Sequence, residues 1–462
     1  MQTDVRGLRL TTSSAAAAQH IDAAVTDFLD YSVGASANLK KALDEDPSFA
    51  LALCFRAYFM MMLEMRSVLP RIKQTIDELE QRLSSLTRRE QLHVAALKAW
   101  SEGDIIKACS AWEVIITEHP HDILAMKLHH TLSFYMGQSQ VMRSVLAGAI
   151  DEWNDATPGY SYVQGMYAYA LEECAEYAEA ERWGRAAAAG NPGDLWAIHS
   201  VAHVLEMQER TKEGLAWLPY TTAQWAQKNP FKAHVWWHGA LFAMAEGDTD
   251  RVLSIYDNEL TSVNTDNYVD VSNQGALLKR LELMGVDVGE RWSNLAAFSK
   301  KRINDHMLPF RDIHFGLCLA GDGDLEAARQ HIGSMRTFAA GKSGWQAESM
   351  NRIAVPLCEA IVLAAEGHAD KAAELLWPIR HDFARIGGSN AQRDLFAQIL
   401  CDAAVRGNKH AIARSLLAER VKARPDRKDN WTAYADVLAS LGETKLAEGA
   451  RGRAAKAAHA GA

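Results

Sequence analysis

The 462-residue sequence predicts an all-α protein built as an array of paired helices. Three observations predict this fold class. Long stretches are rich in Ala, Leu, Glu, Arg, Lys and Met, which are strong helix formers. Prolines number only 11, and no segment shows the alternation of polar and apolar residues that is typical of a strand. Helix-breaking residues recur at a regular interval along the chain.

Two kinds of helix breaker mark this interval. Prolines at the boundaries between helix pairs are Pro47, Pro120, Pro158, Pro192 and Pro230. Glycine turns within the pairs are Gly103, Gly137, Gly247, Gly367, Gly407 and Gly442. Pro158 and Pro192 are 34 residues apart, and so are Gly103 and Gly137. A period of about 34 residues with two helices is the tetratricopeptide signature. The sequence therefore predicts a tetratricopeptide-like helical-hairpin array, an α-solenoid that winds into a superhelix.

The whole chain, 1–462, is expected to form one continuous array. A single helix pair cannot bury its apolar face alone, so neighbouring pairs must stack to build the core. No long Gly/Ser linker interrupts the sequence. The expected sections are an N-terminal helical cap at 1–40, more regular repeats at 41–250, an irregular helical section at 251–345, and C-terminal repeats with a cap at 346–462.

Composition limits the partners. The net charge of −9 and the pI near 6.0 argue against nucleic acid. Basic clusters at 300–302 and 420–428 lie near predicted helix ends, where cations complement the terminal carbonyls. No apolar run reaches the roughly 20 residues of a membrane span, and no signal sequence is visible. Six scattered cysteines suit the core of a cytoplasmic protein. A homo-oligomer is compatible with these features.

Residues 387–394 form a distinct helix start. Gly387 and Gly388 should end the preceding helix, and Ser389 and Gln392 have the spacing of a capping box. A helix N-terminus of this kind can hold an anion, with Asn390 and Arg393 nearby. A purely structural loop is the alternative interpretation.

Several stretches carry a resemblance to a known family. They are 86–94 (LTRREQLHV), 199–203 (HSVAH), the Trp237-His238 pair and 387–394 (GGSNAQRD). With them the chain resembles the tetratricopeptide repeat protein 38 family over nearly its full length. The resemblance implies an all-helical repeat fold and implies no established substrate. One departure is His130-Thr131, where similar proteins carry His-Asp.

Histidines recur at helical spacing in two neighbouring repeats. His199, His203 and Glu206 stand at i, i+4 and i+7, so their side chains share one face of a predicted helix. His234 and His238 form another i, i+4 pair in the next repeat. Imidazoles and carboxylates at this spacing can converge on zinc or another divalent metal, or act as general acids and bases. The pattern is not the His-Glu-x-x-His motif of zinc proteases.

Three overlapping sets of candidate residues follow. The metal set is His199, His203, Glu206 and His238. The catalytic set adds His314, which is expected to close the far side of the site. The ligand-binding set is His130, Tyr162, Trp196, His234, Trp237, Asn390 and Arg393. The alternative for all of them is that they are interface residues whose polar tips are hydrogen-bonded to their neighbours.

Three functions remain open from the sequence. The favoured one is a repeat protein that binds a small ligand or peptide in a concave pocket near these residues. The second is a hydrolase or lyase, metal-dependent if a divalent metal is the cofactor. The third is a scaffold for protein interactions. Fold analogy favours binding, whereas the localised polar cluster favours chemistry.

Overall fold

The structure, a computed structural model, describes residues 1–218, 225–261 and 268–460. It is 76% helical, which confirms the predicted all-α class. The helices are α1 Ala15–Leu29, α2 Ala35–Glu45, α3 Ala50–Met61, α4 Leu69–Glu80, α5 Arg88–Ser101, α6 Ile105–Glu118, α7 Ile123–Tyr135, α8 Ser139–Ala149, α9 Tyr160–Glu173, α10 Tyr177–Gly190, α11 Leu195–Met207, α12 Thr211–Trp217, α13 Phe231–Ala245, α14 Thr249–Ile255, α15 Tyr268–Leu283, α16 Trp292–Lys300, α17 Pro309–Gly321, α18 Leu325–Ala340, α19 Trp345–Ser349, α20 Val355–Ala365, α21 Ala369–Leu376, α22 Asn390–Arg406, α23 His410–Ala423, α24 Lys428–Ser440 and α25 Thr444–Ala460. Consecutive helices joined by short turns pack against one another as a tetratricopeptide-like array. None of the helices in these described ranges is long and apolar enough to cross a membrane.

Irregular helical segments interrupt the array. Short 3-10 helices are Arg66–Val68, Leu83–Ser85, Ile150–Glu152, Gly289–Arg291 and the longer Trp377–Ile386, and π-helical turns are Tyr256–Leu260 and Met350–Ala354. Pro378 lies at the start of the longest 3-10 segment, where its missing N–H costs nothing. Gly387 and Gly388, at φ +79° and +77°, then end this segment. The capping box predicted at Ser389 and Gln392 is confirmed at the start of α22.

The turn inside a helix pair follows from the Gly-Asp sequence. Gly103 adopts φ +87°, a left-handed conformation that L side chains rarely adopt. The Asp104 side chain then accepts a hydrogen bond from Lys107 N at the start of α6. Asp248 and Asp324 cap α14 and α18 in the same way. Each turn thereby closes one helix and starts its partner.

A two-stranded hairpin precedes the first helix. Strands β1 Gln2–Thr3 and β2 Arg9–Leu10 pair antiparallel around a turn that the Asp4 carboxylate holds together. The sequence does not predict these strands, because a strand of two residues is too short to show alternation. The hairpin packs beside α5, where the Glu90 carboxylate accepts hydrogen bonds from the N–H and hydroxyl of Thr11.

The family-like stretch 86–94 serves as a structural brace. Thr87 and Glu90 form a reciprocal capping box at the start of α5. The Arg89 guanidinium lies 2.7 Å from a carboxylate oxygen of Asp122, and both side chains are buried. Asp122 is in turn the N-cap of α7. This network fixes the N-terminal hairpin to two successive helix pairs.

The array winds back on itself, so distant parts of the chain meet. Gly137 in the α7–α8 turn packs so closely on the 377–386 segment that an added Cβ would lie 1.7 Å from Ala384 O. Two large apolar clusters form the core, one mainly from α1–α9 and one from α11–α24. Tyr31 and Phe231 stack at 4.2 Å and pack against both clusters. Five of the six cysteines are buried in these clusters, as predicted.

Candidate functional site

Four histidines converge between two adjacent helices. His199 and His203 project from α11, and His234 and His238 project from α13; we call them the histidine tetrad. One ring nitrogen from each lies within 4.8 Å of the others. The i, i+4 spacing places both members of each pair on one helix face. All four side chains are buried, so the helix packing itself holds them together.

His203 Nε2 and His234 Nε2 both lie close to His199 Nε2. The distances are 2.9 Å from His199 to His203 and 3.0 Å from His199 to His234. A hydrogen bond between two of these nitrogens needs a proton on one Nε2 and a lone pair on the other. A tetrahedral ion with metal–nitrogen bonds of 2.0–2.1 Å would hold such nitrogens about 3.3 Å apart. The two observed distances are slightly shorter than this separation.

Hydrogen bonds behind the tetrad set the ring tautomers. His238 Nδ1 lies 2.8 Å from Glu206 Oε2, and His234 Nδ1 lies 3.0 Å from Asn273 Oδ1. A carboxylate or amide oxygen only accepts, so each Nδ1 carries the proton and each Nε2 presents a lone pair. Metal-bound histidines are oriented by the same kind of partner. His199 differs, since its Nδ1 has no hydrogen-bond partner within the described chain.

A buried acidic pair lies beside the tetrad at the end of α9. Glu173 accepts a hydrogen bond from Asn390 N at 2.8 Å and pairs with Arg393 at 3.3 Å. Glu172 Oε2 lies 3.5 Å from His203 Nδ1, and neither Glu172 oxygen has a hydrogen-bond partner in the described ranges. Burial and the neighbouring carboxylates raise the pKa of Glu172 well above its ordinary value.

Burial keeps His199, His203 and His234 neutral near pH 7. Desolvation, together with the neighbouring imidazoles, lowers the pKa of His199 and of His203 well below the ordinary value. The pKa of His234 falls to about 3 for the same reasons. Neutral imidazole is the form that binds metal, so these three rings need not be deprotonated for binding at neutral pH.

An aromatic wall extends from the tetrad toward α7. The Trp196 ring lies 5.0 Å from His199 and 5.4 Å from His130. Lys127 Nζ sits 3.9 Å above the same Trp196 ring and donates to the Tyr31 hydroxyl. Burial lowers the pKa of Lys127 to about 7. These residues close the interior on the side of the N-terminal helices.

Unsatisfied polar atoms concentrate around the tetrad. In native proteins such atoms number only a few per 100 residues, and each one calls for an explanation. Buried atoms here without a hydrogen-bond partner among the described residues are both Glu172 oxygens, both His130 nitrogens, Asp194 Oδ2, Trp196 Nε1, Trp237 Nε1, His199 Nδ1, His203 Nδ1 and His238 Nε2. Each of these atoms could form a hydrogen bond to a bound polar group.

A cavity of about 330 Å³ lies beside Glu206, the hydrogen-bond partner of His238. It lies between α11, α13 and α15 on one side and α22–α24 on the other. Glu206 lines this cavity while its carboxylate holds His238, so it connects the two sites. Arg280 and Ala391 form the neighbouring part of the wall.

Glu206 and His234 have positions in the structure that differ from the predicted ones. Glu206, a predicted metal ligand, lies behind His238 as its hydrogen-bond partner, because at i+7 it is about 10 Å further along α11 than His199. His234, predicted only as ligand-binding, supplies the fourth ring of the cluster. The reason is the packing of α13 on α11, which no spacing within one helix reveals.

His314 does not close the far side of the site as predicted. Its Nδ1 donates to Phe310 O, and its ring contacts are with Phe310 and Phe396 rather than with the tetrad. Tyr162 lies outside the tetrad too, with its hydroxyl 3.4 Å from Asp30 Oδ1. His314 is one turn after Phe310 on α17, which packs against α22 through these aromatic rings.

The other predicted ligand-binding residues surround the tetrad at different depths. Trp237 stacks on His234 with ring centroids 5.4 Å apart. Asn390 and Arg393 approach through Glu173, across 217 and 220 residues of sequence. Sequence reasoning missed the acidic pair Glu172 and Glu173. The available signal was two adjacent carboxylates after the apolar helical run 163–171.

A second histidine cluster is tied to the backbone by hydrogen bonds. His306, Asp312 and His331 bring ligand atoms within 4.8 Å of one another. Both nitrogens of His331 face backbone carbonyls, Ile303 O at 3.1 Å and Asp312 O at 2.9 Å. His306 Nδ1 lies 2.9 Å from Asp312 Oδ1 and completes the network.

Comparison with known proteins adds distant fold likenesses. No protein-family model matches the chain. A monomeric mutant of IFIT1 with Gppp-AAAA is similar at TM-score 0.37 and 11% identity, over 96% of this chain and 91% of that one. The TPR domain of P58(IPK) is similar at TM-score 0.22 and 13% identity, over 80% of this chain and 93% of that one. Naa15/Naa10 bound to HypK-THB is similar at TM-score 0.26 and 12% identity, over 95% of this chain and 63% of that one. Likenesses at this level do not extend to ligands or partners.

Proposed function

We propose that this protein binds a divalent transition-metal ion at the histidine tetrad. One observation carries the proposal: four buried imidazoles from two neighbouring helices bring one nitrogen each within 4.8 Å. The hydrogen bonds of His234 and His238 support it, because they hold Nδ1 of each ring and leave Nε2 as the nitrogen for a metal. A bound ion would join α11 to α13 and so tie two successive helix pairs together.

The donor set selects a class of metal. Imidazole suits zinc, copper, iron and nickel, whereas magnesium and calcium prefer oxygen. Four nitrogens fill a tetrahedral zinc ion, and a catalytic zinc site keeps one position for water. The geometry therefore supports metal binding better than metal-dependent hydrolysis.

The proposed fold context is one continuous array. Contacts between residues distant in sequence support it, since Val33 N donates to Gln227 O and Gly137 packs on Ala384. The stretches at 86–94, 199–203, 237–238 and 387–394 support membership of the tetratricopeptide repeat protein 38 family. Within that fold, the cavity beside Glu206 is the proposed site for a small ligand.

Metal binding is tested with untagged protein purified without chelators. We expect about one equivalent of a transition metal by mass spectrometry, and visible absorption bands of tetrahedral cobalt when the metal-free protein is titrated with Co²⁺. His203→Asn should lose these bands. His314→Asn is the matched control, a buried histidine outside the tetrad, and should keep them. Circular dichroism checks that both variants fold.

A second variant protects the test against misfolding. Glu206→Gln keeps all four imidazoles and alters only the partner of His238, so it should weaken metal affinity about 10–100-fold. Wild-type protein that takes up no metal, or His203→Asn protein that binds Co²⁺ as well as wild type, would overturn the proposal.

A further inference from the structure

The cavity beside Glu206 has one apolar wall and one basic wall. Its volume of about 330 Å³ lies at the small end of the range for ligand pockets. The apolar wall consists of Leu241, Phe242, Met244, Leu283 and Met284. The basic wall consists of Arg280, Arg420, Arg424 and Arg427. A ligand that fits both walls has an apolar body and a negative charge.

Arg280 is a buried cation with no carboxylate in ion-pair contact among the described residues. It projects from α15 and is only 4% exposed. Its guanidinium donates to two backbone carbonyls, Ala276 O at 3.2 Å and Ala391 O at 2.8 Å. It makes no ion pair with any residue in the described part of the chain. Its opposite charges, Asp394 and Glu206, act on it only from beyond contact distance. An anion in the adjoining cavity would therefore be its direct ion-pair partner.

The other arginines of the basic wall are paired with carboxylates. Arg420 and Arg424 both pair with Asp394, at 2.9 and 3.5 Å. Arg427 pairs with Asp429 at 3.1 Å. Arg280 therefore differs from its three neighbours in the basic wall.

The remaining carboxyl groups of the cavity contact other residues. Glu206 accepts from His238 Nδ1, and Asp402 accepts from Arg406. Among the four arginines of the basic wall, Arg280 is thus the one without a carboxylate contact in the described part of the chain. This guanidinium is the cation that remains available to an anionic ligand.

We propose that this cavity binds a small organic monoanion with an apolar body, and that Arg280 holds the anionic group. Guanidinium suits this role because its fork of N–H donors matches the oxygens of a carboxylate or sulfonate. The apolar body lies along Leu241, Phe242 and Met284. The inference stands on the cavity walls and does not require a metal in the tetrad.

The test uses the fluorescent anion 8-anilinonaphthalene-1-sulfonate with the natively folded full chain. We expect saturable 1:1 binding that decanoate displaces. Decanol has the same apolar body without the charge, so it should displace the dye at least about tenfold less well. Equal displacement by decanol and decanoate would overturn the proposal without any variant being needed.

A variant assigns the charge to one residue. Arg280→Met should weaken dye binding at least about tenfold, because a charge-assisted hydrogen bond is lost. Arg143→Met is the control, since Arg143 pairs with Glu176 away from the cavity, and it should bind the dye as wild type does. Near-ultraviolet circular dichroism confirms native packing. A folded Arg280→Met protein with unchanged affinity would refute the assignment.

Discussion

Replacing Asp122 with asparagine should destabilise the protein strongly while keeping its helix cap. Asp122 Oδ2 lies 2.7 Å from Arg89 and 3.1 Å from His93, with the side chains of Asp122 and Arg89 only 2% and 4% exposed. Asparagine is as good an N-cap as aspartate, so the bond from Ala125 N is kept. The substitution removes only the charge and leaves the Arg89 cation buried without its partner. Breaking one side of a buried pair costs about 3–5 kcal/mol.

The matched control is the neighbouring ion pair of the same motif. Arg88 and Glu118 lie 2.7 Å apart, but their side chains are 67% and 36% exposed. Glu118→Gln should therefore change the free energy of unfolding by at most about 1 kcal/mol. Urea denaturation followed by circular dichroism measures both variants against wild type. Equal effects of the two substitutions would refute the reasoning.

The pH dependence of the stability difference between wild type and Asp122→Asn gives an independent check. Burial alone would raise the pKa of Asp122, but His93 and Arg89 hold it well below its usual range. The unfolded carboxyl titrates near 3.9, so its stabilising contribution is complete above that pH and is lost as the pH falls toward the folded pKa. The stability difference between wild type and Asp122→Asn should stay constant from about pH 7 to pH 5. A difference that already shrinks in this range would contradict the assigned pKa direction.

Two further substitutions test the contacts that wind the array onto itself. Gly137→Ala should lower the free energy of unfolding by more than about 2 kcal/mol in thermal unfolding, because its Cβ would collide with Ala384 O. Gly247 has φ +79°, and a Cβ there meets open space. Gly247→Ala should therefore cost only the backbone strain of about 1–2 kcal/mol. Equal costs would show that the turn is not packed against the 377–386 segment. Arg393→Met should cost about 3–5 kcal/mol in urea unfolding, because it leaves the buried Glu173 carboxylate without its cation, and a loss below about 1 kcal/mol would contradict that pairing.

Most of the fold could be predicted from local patterns in the sequence. The interval between Gly103 and Gly137, and the capping spacing of Ser389 and Gln392, depend on residues close in sequence. Such patterns fix where helices begin and end. The hairpin at residues 2–10 could not be predicted, because its strands are too short to show any period. The return of the array onto itself could not be predicted either, because each of its contacts joins distant residues.

The site could be predicted from the sequence less completely than the fold, for the same reason. The spacing of His199 and His203 predicts that they share a helix face, and His234 and His238 share another. Which of these faces meet depends on how α13 packs on α11, and that decides between Glu206 and His234 as a member of the cluster. Glu172 and Glu173 at the end of α9 reach the cluster only through tertiary packing, so no sequence motif predicts their place in the site.

X-ray absorption at the zinc edge tests the central claim most directly. Protein loaded with one equivalent of Zn²⁺ should show four nitrogen neighbours at about 2.0–2.1 Å, with the outer-shell scattering of imidazole rings. His203→Asn should lower the number of imidazoles, and His314→Asn should leave the spectrum unchanged. A first shell of oxygen or sulfur atoms, or a zinc signal that is identical in wild type and His203→Asn, would contradict a metal centre at the histidine tetrad.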